Sequence, residues 1–473
     1  MKRKIINFFI IIFLLGICSI GTPEPSDNPV STDEIKQGRV LTIKEFIQQA
    51  TAKDTEFENI LIDELVLQYQ RDLSLPARDI VFYIKTQYDF ILDQEREEPE
   101  ATMTLSKLFP LTGTTISGEY KTTPSYTSIK HSSDMTYSIT QPVAQNAFGR
   151  STRMLDKIIG IEVDVAKHQI VEAYEDYFAT IIGAYYDWHE AYENLKIGES
   201  SYKENVKLLD NIKERQKSKI ANPIDVNKIK LQVFEKEEQL IELQELYEKA
   251  LNIVKTAIRY EQGEELLPSS PSLYRDLAIS FEDDFKTLTT SGRTFKILEM
   301  LEEKSSLDVA RSADDLLPSI DFIFGYNMKG DEMAFEQSDN MIFMGVTLDF
   351  PFPDQVDRAE YYIDEIEERK SRLTTNNVYY SLYNDIKNLA LAIKREEKLY
   401  KIADDKIELA QDVLEAESEN YTYGKVTLND YIDAVNSLDR TRFNKVTHEQ
   451  QLRKYKIEWL RLTDKLISRS EIR

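Results

Sequence analysis

Cysteine is almost missing from this chain: Cys18 is the only one. A single thiol rules out an intramolecular disulfide and a thiolate metal site. Histidine is nearly as scarce, and His131, His168, His189 and His448 are scattered without HExxH or any other metal-ligand spacing. His189 follows Trp188 on a helical pattern and reads as a packing or surface residue. There is no glycine-rich phosphate loop and no G-x-S-x-G elbow, so neither ATP hydrolysis nor serine-hydrolase chemistry has a basis here. The expectation is a protein that is not an enzyme and needs no cofactor. Positive charge is also short, with 59 Lys and Arg against 83 Asp and Glu for a net −24. That balance argues against nucleic acid, which requires a basic face. It fits solvated helical surfaces, or an acidic wall that favours cations.

Proline and glycine are the most telling scarcities. After Pro142 the next proline is Pro223; after Pro353 there is none, and Gly424 is the only glycine in that final stretch. These residues break regular structure, one by removing a backbone donor and the other by loosening the backbone. Their absence predicts helices far beyond the usual ~11–12 residues, and a helix over 154–221 would extend about 100 Å. Long apolar runs are missing too. Outside the first residues no segment is long and apolar enough for a spanning helix.

What is present is stated twice. After Leu75-Pro76, Ile80, Phe82, Ile84, Thr86, Tyr88 and Phe90 alternate with mostly polar residues; after Leu317-Pro318, Ile320, Phe322, Phe324, Tyr326 and Met328 do the same. Such alternation makes strands with one apolar face. Return strands follow, with Met135, Tyr137 and Ile139 before Gln141-Pro142, and Ile342 to Phe350 before Pro351. Pieces near 102–108 and 114–121 are also strand-like, either extra strands or parts of an interrupted hairpin. Each strand region then feeds a long heptad pattern. Ala166, Ile170, Ala173, Tyr177, Ile181, Ala184, Trp188, Ala191, Leu195, Gly198 and Tyr202 step by threes and fours. Leu382, Ile386, Leu389, Ile393, Tyr400, Ala403, Ile407, Ala410, Leu414 and Tyr421 do so later, with Glu396 and Glu417 in polar slots. The fold class is therefore mainly α with β: long antiparallel coiled-coil hairpins plus short strand pairs, duplicated.

At the start, Lys2, Arg3 and Lys4 precede an apolar run from Ile5 to Leu15, as in an export signal. Cleavage after Gly21 fits. Cys18 alternatively resembles the lipidated residue of a bacterial lipoprotein, although Ile17 is bulkier than the small residue preferred before it. The expected organisation is a signal over 1–21, a proline-bearing linker over 22–40, a first repeat over 41–262, an irregular crossover over 263–292 and a second repeat over 293–473. Thr42 with Glu45 forms a capping-box spacing at the first helix.

A sheet with one apolar face suits a soluble sandwich or a membrane barrel. In a membrane, about four strands per chain leave open edges that lipid does not tolerate, so several chains must close the ring; three would give about twelve strands.

The landmarks Leu41-Thr42-Ile43-Lys44-Glu45, the two Leu-Pro steps with Ala310-Arg311-Ser312-Ala313 before the second, Thr140-Gln141-Pro142, and the run from Tyr421 through Gly424 to Asp430, Asp433 and Ala434 resemble the TolC-type family of outer-membrane efflux and secretion channels. The resemblance covers nearly the whole mature length. It implies a homotrimer forming a β-barrel in outer-membrane lipid and an α-barrel across the periplasm of a diderm bacterium. It also implies docking onto a periplasmic adaptor served by an inner-membrane transporter of the RND or ABC type. Asp430 and Asp433 match acidic residues ringing the narrowest aperture, where six carboxylates would repel one another, raise some of their pKa values and attract divalent cations. Helix capping accounts equally for acids at that place. Asp225 matches an acidic gate partner, Tyr421 a tyrosine of the gate, and Gly424 the tip glycine. Val426 stands where some members carry a gating arginine, and Lys219 and Pro223 depart from a glycine-bearing turn. Competing readings are a periplasmic adaptor, which carries one hairpin rather than two, and a cell-envelope coiled-coil spacer.

Overall fold

The structure, a computed structural model, describes residues 38–74, 79–91, 96–123, 132–260, 263, 265–271, 277–331 and 340–467. The export signal with Cys18, nearly all of the linker and the first Leu-Pro step lie outside the described residues.

The chain begins with a short strand, β1 (Arg39–Leu41), and two helices, α1 (Ile43–Lys53) and α2 (Thr55–Ser74). The expected capping box forms at α1: Glu45 N–H donates to Thr42 Oγ1 at 3.3 Å, and Thr42 N–H donates to Glu45 Oε2 at 3.1 Å. Four strands follow, β2 (Ile80–Ile91), β3 (Arg96–Phe109), β4 (Thr114–Thr123) and β5 (Ser132–Pro142), then the hairpin of α3 (Arg150–Lys217) and α4 (Pro223–Ala257). After β6 (Leu266–Pro268), α5 (Phe281–Ser291) and α6 (Arg293–Asp315) come two strands, β7 (Ser319–Asp331) and β8 (Asn340–Asp349). The second hairpin, α7 (Gln355–Thr422) and α8 (Leu428–Leu462), completes the chain.

The duplication of the helices is exact in length: each hairpin pairs a 68-residue helix with a 35-residue one. The longer helices extend about 100 Å. All the heptad positions expected in their seams are buried or half-buried. Glu396, the polar intruder in the second seam, is buried and held by Arg395 and by His448, whose Nδ1 lies 2.9 Å from it.

Three corrections concern local structure. The first long helix ends at Lys217 rather than 221, because Lys219 adopts a left-handed conformation (φ 58°) that stops it. The crossover is not irregular throughout, since it contains α5 and the strand β6, which pairs in parallel with β1. Tyr185 locks that pair onto α3 by donating to the Leu41 carbonyl at 2.8 Å. The third is the strand count. The pieces near 102–108 and 114–121 are two full strands joined by a turn at 110–113, so the sheet has six strands in the order β2-β3-β4-β5-β7-β8. Pro110 and Gly113 make a reversal there, not an interruption. Gly113 (φ 66°) abuts Gly149 (φ 73°) so closely that a Cβ on it would meet the Gly149 nitrogen at 2.9 Å.

The main core lies where α1, α3, α4 and α8 meet, around Phe46, Tyr174, Tyr185, Trp188, Val254 and Ile457. A second cluster joins α5, α7 and α8 through Phe285, Leu288, Ile386, Ile393 and Trp459. Trp459 Nε1 donates to Asp284 at 2.9 Å. The helices thus form one body, with the sheet leaving it at one end and the hairpin tips at the other.

Candidate functional site

Two regions carry the functional reading. The first is the pair of hairpin tips. Both long helices end in the same motif: Ile220 N–H donates to the Arg215 carbonyl at 2.8 Å and Lys219 N–H to Gln216 at 2.9 Å, while Lys425 donates to Asn420 at 2.9 Å and Gly424 to Tyr421 at 3.1 Å. This is a Schellman closure, which places the residue just past the C-cap in the left-handed region. Gly424 (φ 71°) and Lys219 (φ 58°) occupy that place in the two tips. Both return helices then open with a capping box. Asn222 N–H donates to Asp225 Oδ2 at 3.1 Å; Thr427 donates to Asp430 Oδ2 through its N–H at 2.8 Å and its hydroxyl at 2.7 Å. Asp225 and Asp430 are therefore the same position in the two repeats, the third residue of a helix. Pro223 is the first residue of α4, where its missing N–H costs nothing.

In the single chain Asp430 caps its helix, and the Thr427 hydrogen bonds hold its carboxyl below the usual carboxylate range. The rise expected from crowded carboxylates is thus absent at this position in one subunit. Asp433 is exposed one turn on. The counterpart of Asp433 in the first repeat is Lys228, which donates to Asn429 at 3.2 Å and ties the tips together.

Tyr421 packs between the repeats. Its ring stacks on Tyr431 with centroids 5.8 Å apart, and the Arg215 guanidinium lies 4.6 Å from its centroid. Burial raises its pKa. Leu208, Ile212, Val226, Ile229 and Leu428 form the apolar floor beneath. Arg215 and Tyr431 were missed in the sequence, where only superposing the two repeats on their turns would have exposed them. Above this floor a buried polar layer crosses from one hairpin to the other: Lys236 Nζ lies 2.8 Å from Asp439, which also accepts from Ser201, and Gln232 donates to Asn436 at 2.8 Å. No group of His, Cys, Asp and Glu among the described residues is arranged to hold a metal ion.

The second region is the sheet. Its register carries one largely apolar face across the six strands, with Lys107 and Gly118 set into it. Phe82, Leu105, Gly118, Tyr137, Tyr326 and Ile342 lie side by side in one row; Ile80, Lys107, Ile116, Ile139, Phe324 and Met344 make another. Most of these large side chains are exposed, Ile342 at 67% and Met344 at 71%. The opposite face is largely hydroxyl, amide and charge. Ser117 bonds Ser138 at 2.8 Å, Asn327 donates to Thr136 at 2.8 Å, and Lys121 pairs with Glu100 at 2.9 Å. A soluble sandwich would cover the apolar face with a second sheet; among the described residues nothing covers it. No described helix is long and apolar enough to cross a membrane.

No protein-family model matches the chain, and no curated protein sequence does either. Solved structures do. The outer-membrane channel OprN is similar at a TM-score of 0.69 and 12% identity over 89% of each chain. The Campylobacter jejuni CmeC outer membrane channel is similar at 0.66 and 12% identity over 96% of this chain and 95% of that one. The Vibrio cholerae outer membrane protein VceC is similar at 0.66 and 11% identity, over 89% and 95%. At such identities the likeness is one of fold. The fold expected from the TolC-type resemblance is the fold found.

Proposed function

We propose that this chain is the outer-membrane channel subunit of a tripartite efflux or type I secretion system. In this reading three copies form a passive exit duct from the periplasm to the outside. The observation that carries it is the sheet: one largely apolar face, with Lys107 the charge in its two central rows, extends over six open-edged strands that lead into hairpins about 100 Å long. Lipid accepts a sheet only when its edges are closed, and a polar inner face then lines water. The fold shared with outer-membrane channels supports the same reading.

The helical part would cross the periplasm and present its tips to a periplasmic adaptor, which an inner-membrane transporter of the RND or ABC type would serve. Asp225, Asp430 and Asp433 sit with Tyr421 at the tip end, where three copies would converge on an acidic constriction. Asp433, exposed and not used as a cap, is the best placed to face a lumen. Two tandem hairpins on one shared sheet do not match an adaptor's single hairpin.

The test is reconstitution. The purified full chain should run as a detergent-stable trimer, and planar bilayers containing it should show discrete, cation-selective conductance steps. A water-soluble monomer without ion flow would overturn the proposal.

A further inference from the structure

The hairpin helices are duplicated in length, but the strands of the large sheet are not: four of them precede the first hairpin and two precede the second. We infer that the membrane barrel closes with all six strands of each copy, so that three copies build an eighteen-stranded barrel instead of the twelve strands that two hairpins per chain would give. This rests on the trimeric channel proposed above.

The first support is the shared, largely apolar face. A surplus hairpin lying inside the lumen or folded over the rim would not share its apolar side with its neighbours. Here Leu105 on β3 stands beside Phe82 on β2, and Ile116 on β4 beside Ile139 on β5. The described strands have 10 to 14 residues, at or above the ~9–11 that a tilted spanning strand needs. The second support is polarity. Every neighbouring pair in the sheet is antiparallel, so β2 and β8, the two edges, run in opposite directions. Edge-to-edge joining of copies therefore stays antiparallel around the ring.

The occupant of each edge is a second copy, because the chain already contains the joint once. Within one chain the last strand before the first hairpin, β5, pairs with the first strand of the next repeat, β7. The repeat of that joint is β8 against β2 of the next copy. The helices agree. α6, which leads into β7, is packed between α3 and α7. Its counterpart α2, which leads into β2, packs on α3 and leaves Leu61, Leu65, Val66, Tyr69 and Leu73 exposed, Leu73 at 84%. The partner missing from α2 corresponds to a long helix of a neighbouring copy, and α7 exposes Val356, Ile363, Ile366, Leu373 and Tyr380.

The internal joint also fixes a register. Pro142 pairs with Asp321, three residues past Pro318. Transferred to Pro351 and Pro76, the same spacing sets Leu348 opposite Phe82 and Val346 opposite Ile84. Both pairs then fall on the apolar face, as closure requires; a one-residue slip would turn one edge inside out. A barrel of this size leaves an open aqueous bore, so any constriction of the duct belongs to the helical tips.

The experiment is disulfide trapping in the full chain with Cys18→Ser. The pairs Val346→Cys with Ile84→Cys, and Leu348→Cys with Phe82→Cys, should give reducible ladders up to covalent trimer, whereas Val346→Cys with Lys85→Cys should not. Imaging of the unsubstituted trimer in nanodiscs should resolve six strands per copy. A trimer in which Val346→Cys links instead to Ile116→Cys on β4, or one showing twelve strands, overturns the eighteen-stranded barrel and leaves the channel intact. A chain that forms no trimer overturns both.

Discussion

Arg215 and Tyr421 come from different repeats, and the guanidinium of one lies 4.6 Å from the ring centre of the other. The contact joins the last turns of the two long helices at the hairpin tips. Val426 does not supply the cation expected of some gates; Arg215, on the other hairpin, brings a cation to the same tyrosine.

Removing that cation should loosen the tips. Arg215→Ala is expected to speed amide exchange in residues 215–222 and 420–427, with a coupling to Tyr421→Leu of roughly 0.5–1 kcal/mol in a double-mutant cycle. Additive effects of the two substitutions would show that the contact carries no energy.

Charge and capping at Asp430 can be separated. Asp430→Asn with Asp433→Asn keeps side chains able to hydrogen-bond while removing both charges, and should lower cation selectivity, read as a smaller reversal potential in a salt gradient. Asp430→Ala should in addition cost about 0.5–2 kcal/mol of local helix stability, the scale of a lost cap, read by hydrogen exchange. Unchanged selectivity in the Asn variant would remove these acids from the lumen.

The two tips should respond oppositely to glycine exchange. Lys219 holds φ 58° at the place where Gly424 holds φ 71°. Lys219→Gly should stabilise its tip, and Gly424→Ala should destabilise the other, each by roughly 1 kcal/mol. Local exchange rates moving the same way in both variants would refute the equivalence of the turns.

His189 makes stability depend on pH. It is buried on α3, 2.7 Å from Gln450 Nε2. Burial, with Arg453 nearby, pushes its pKa down to about 4 from an ordinary 6.5. Between these values the unfolded chain binds a proton that the folded chain refuses. Its contribution is therefore full above pH 6.5 and is lost as pH falls toward 4, by about 3 kcal/mol at most. Thermal unfolding between pH 7 and 4.5 should be less pH-sensitive in His189→Gln than in the parent.

Lys236 and Asp439 form a buried pair between the hairpins. Lys236→Met alone should cost on the order of 3–5 kcal/mol by stranding the carboxylate, and Lys236→Met with Asp439→Leu should recover most of it. Denaturant unfolding of the purified chain would show the difference. An equal loss in both variants would contradict the pairing.

Much of this architecture was legible in residue order. The gaps between Pro142 and Pro223 and after Pro353 announced helices of unusual length, while the turns at Lys219 and Gly424 decided where α3 and α7 end. Period-two alternation placed β2, β7 and β8 on one face. The capping box of Thr42 and Glu45 was also visible, because a cap is a contact between near neighbours. The extra hairpin was ambiguous, because Pro110 and Gly113 suit a break as well as a turn and only pairing distinguishes them.

The rest required the third dimension. Local sequence determined the helices, the strands and the turns, whose energies depend on residues a few positions apart. It did not determine that β5 pairs with β7, that Arg215 reaches Tyr421, or that His189 is sealed against Gln450. Those partners lie far apart along the chain, as with His189 and Gln450 at a separation of 261 residues, and burial brings them together through the packing of whole hairpins. The acids at the tips show the division best: the family resemblance suggested a ring, while the folded turn revealed that Asp225 and Asp430 cap their helices and that Asp433 remains exposed.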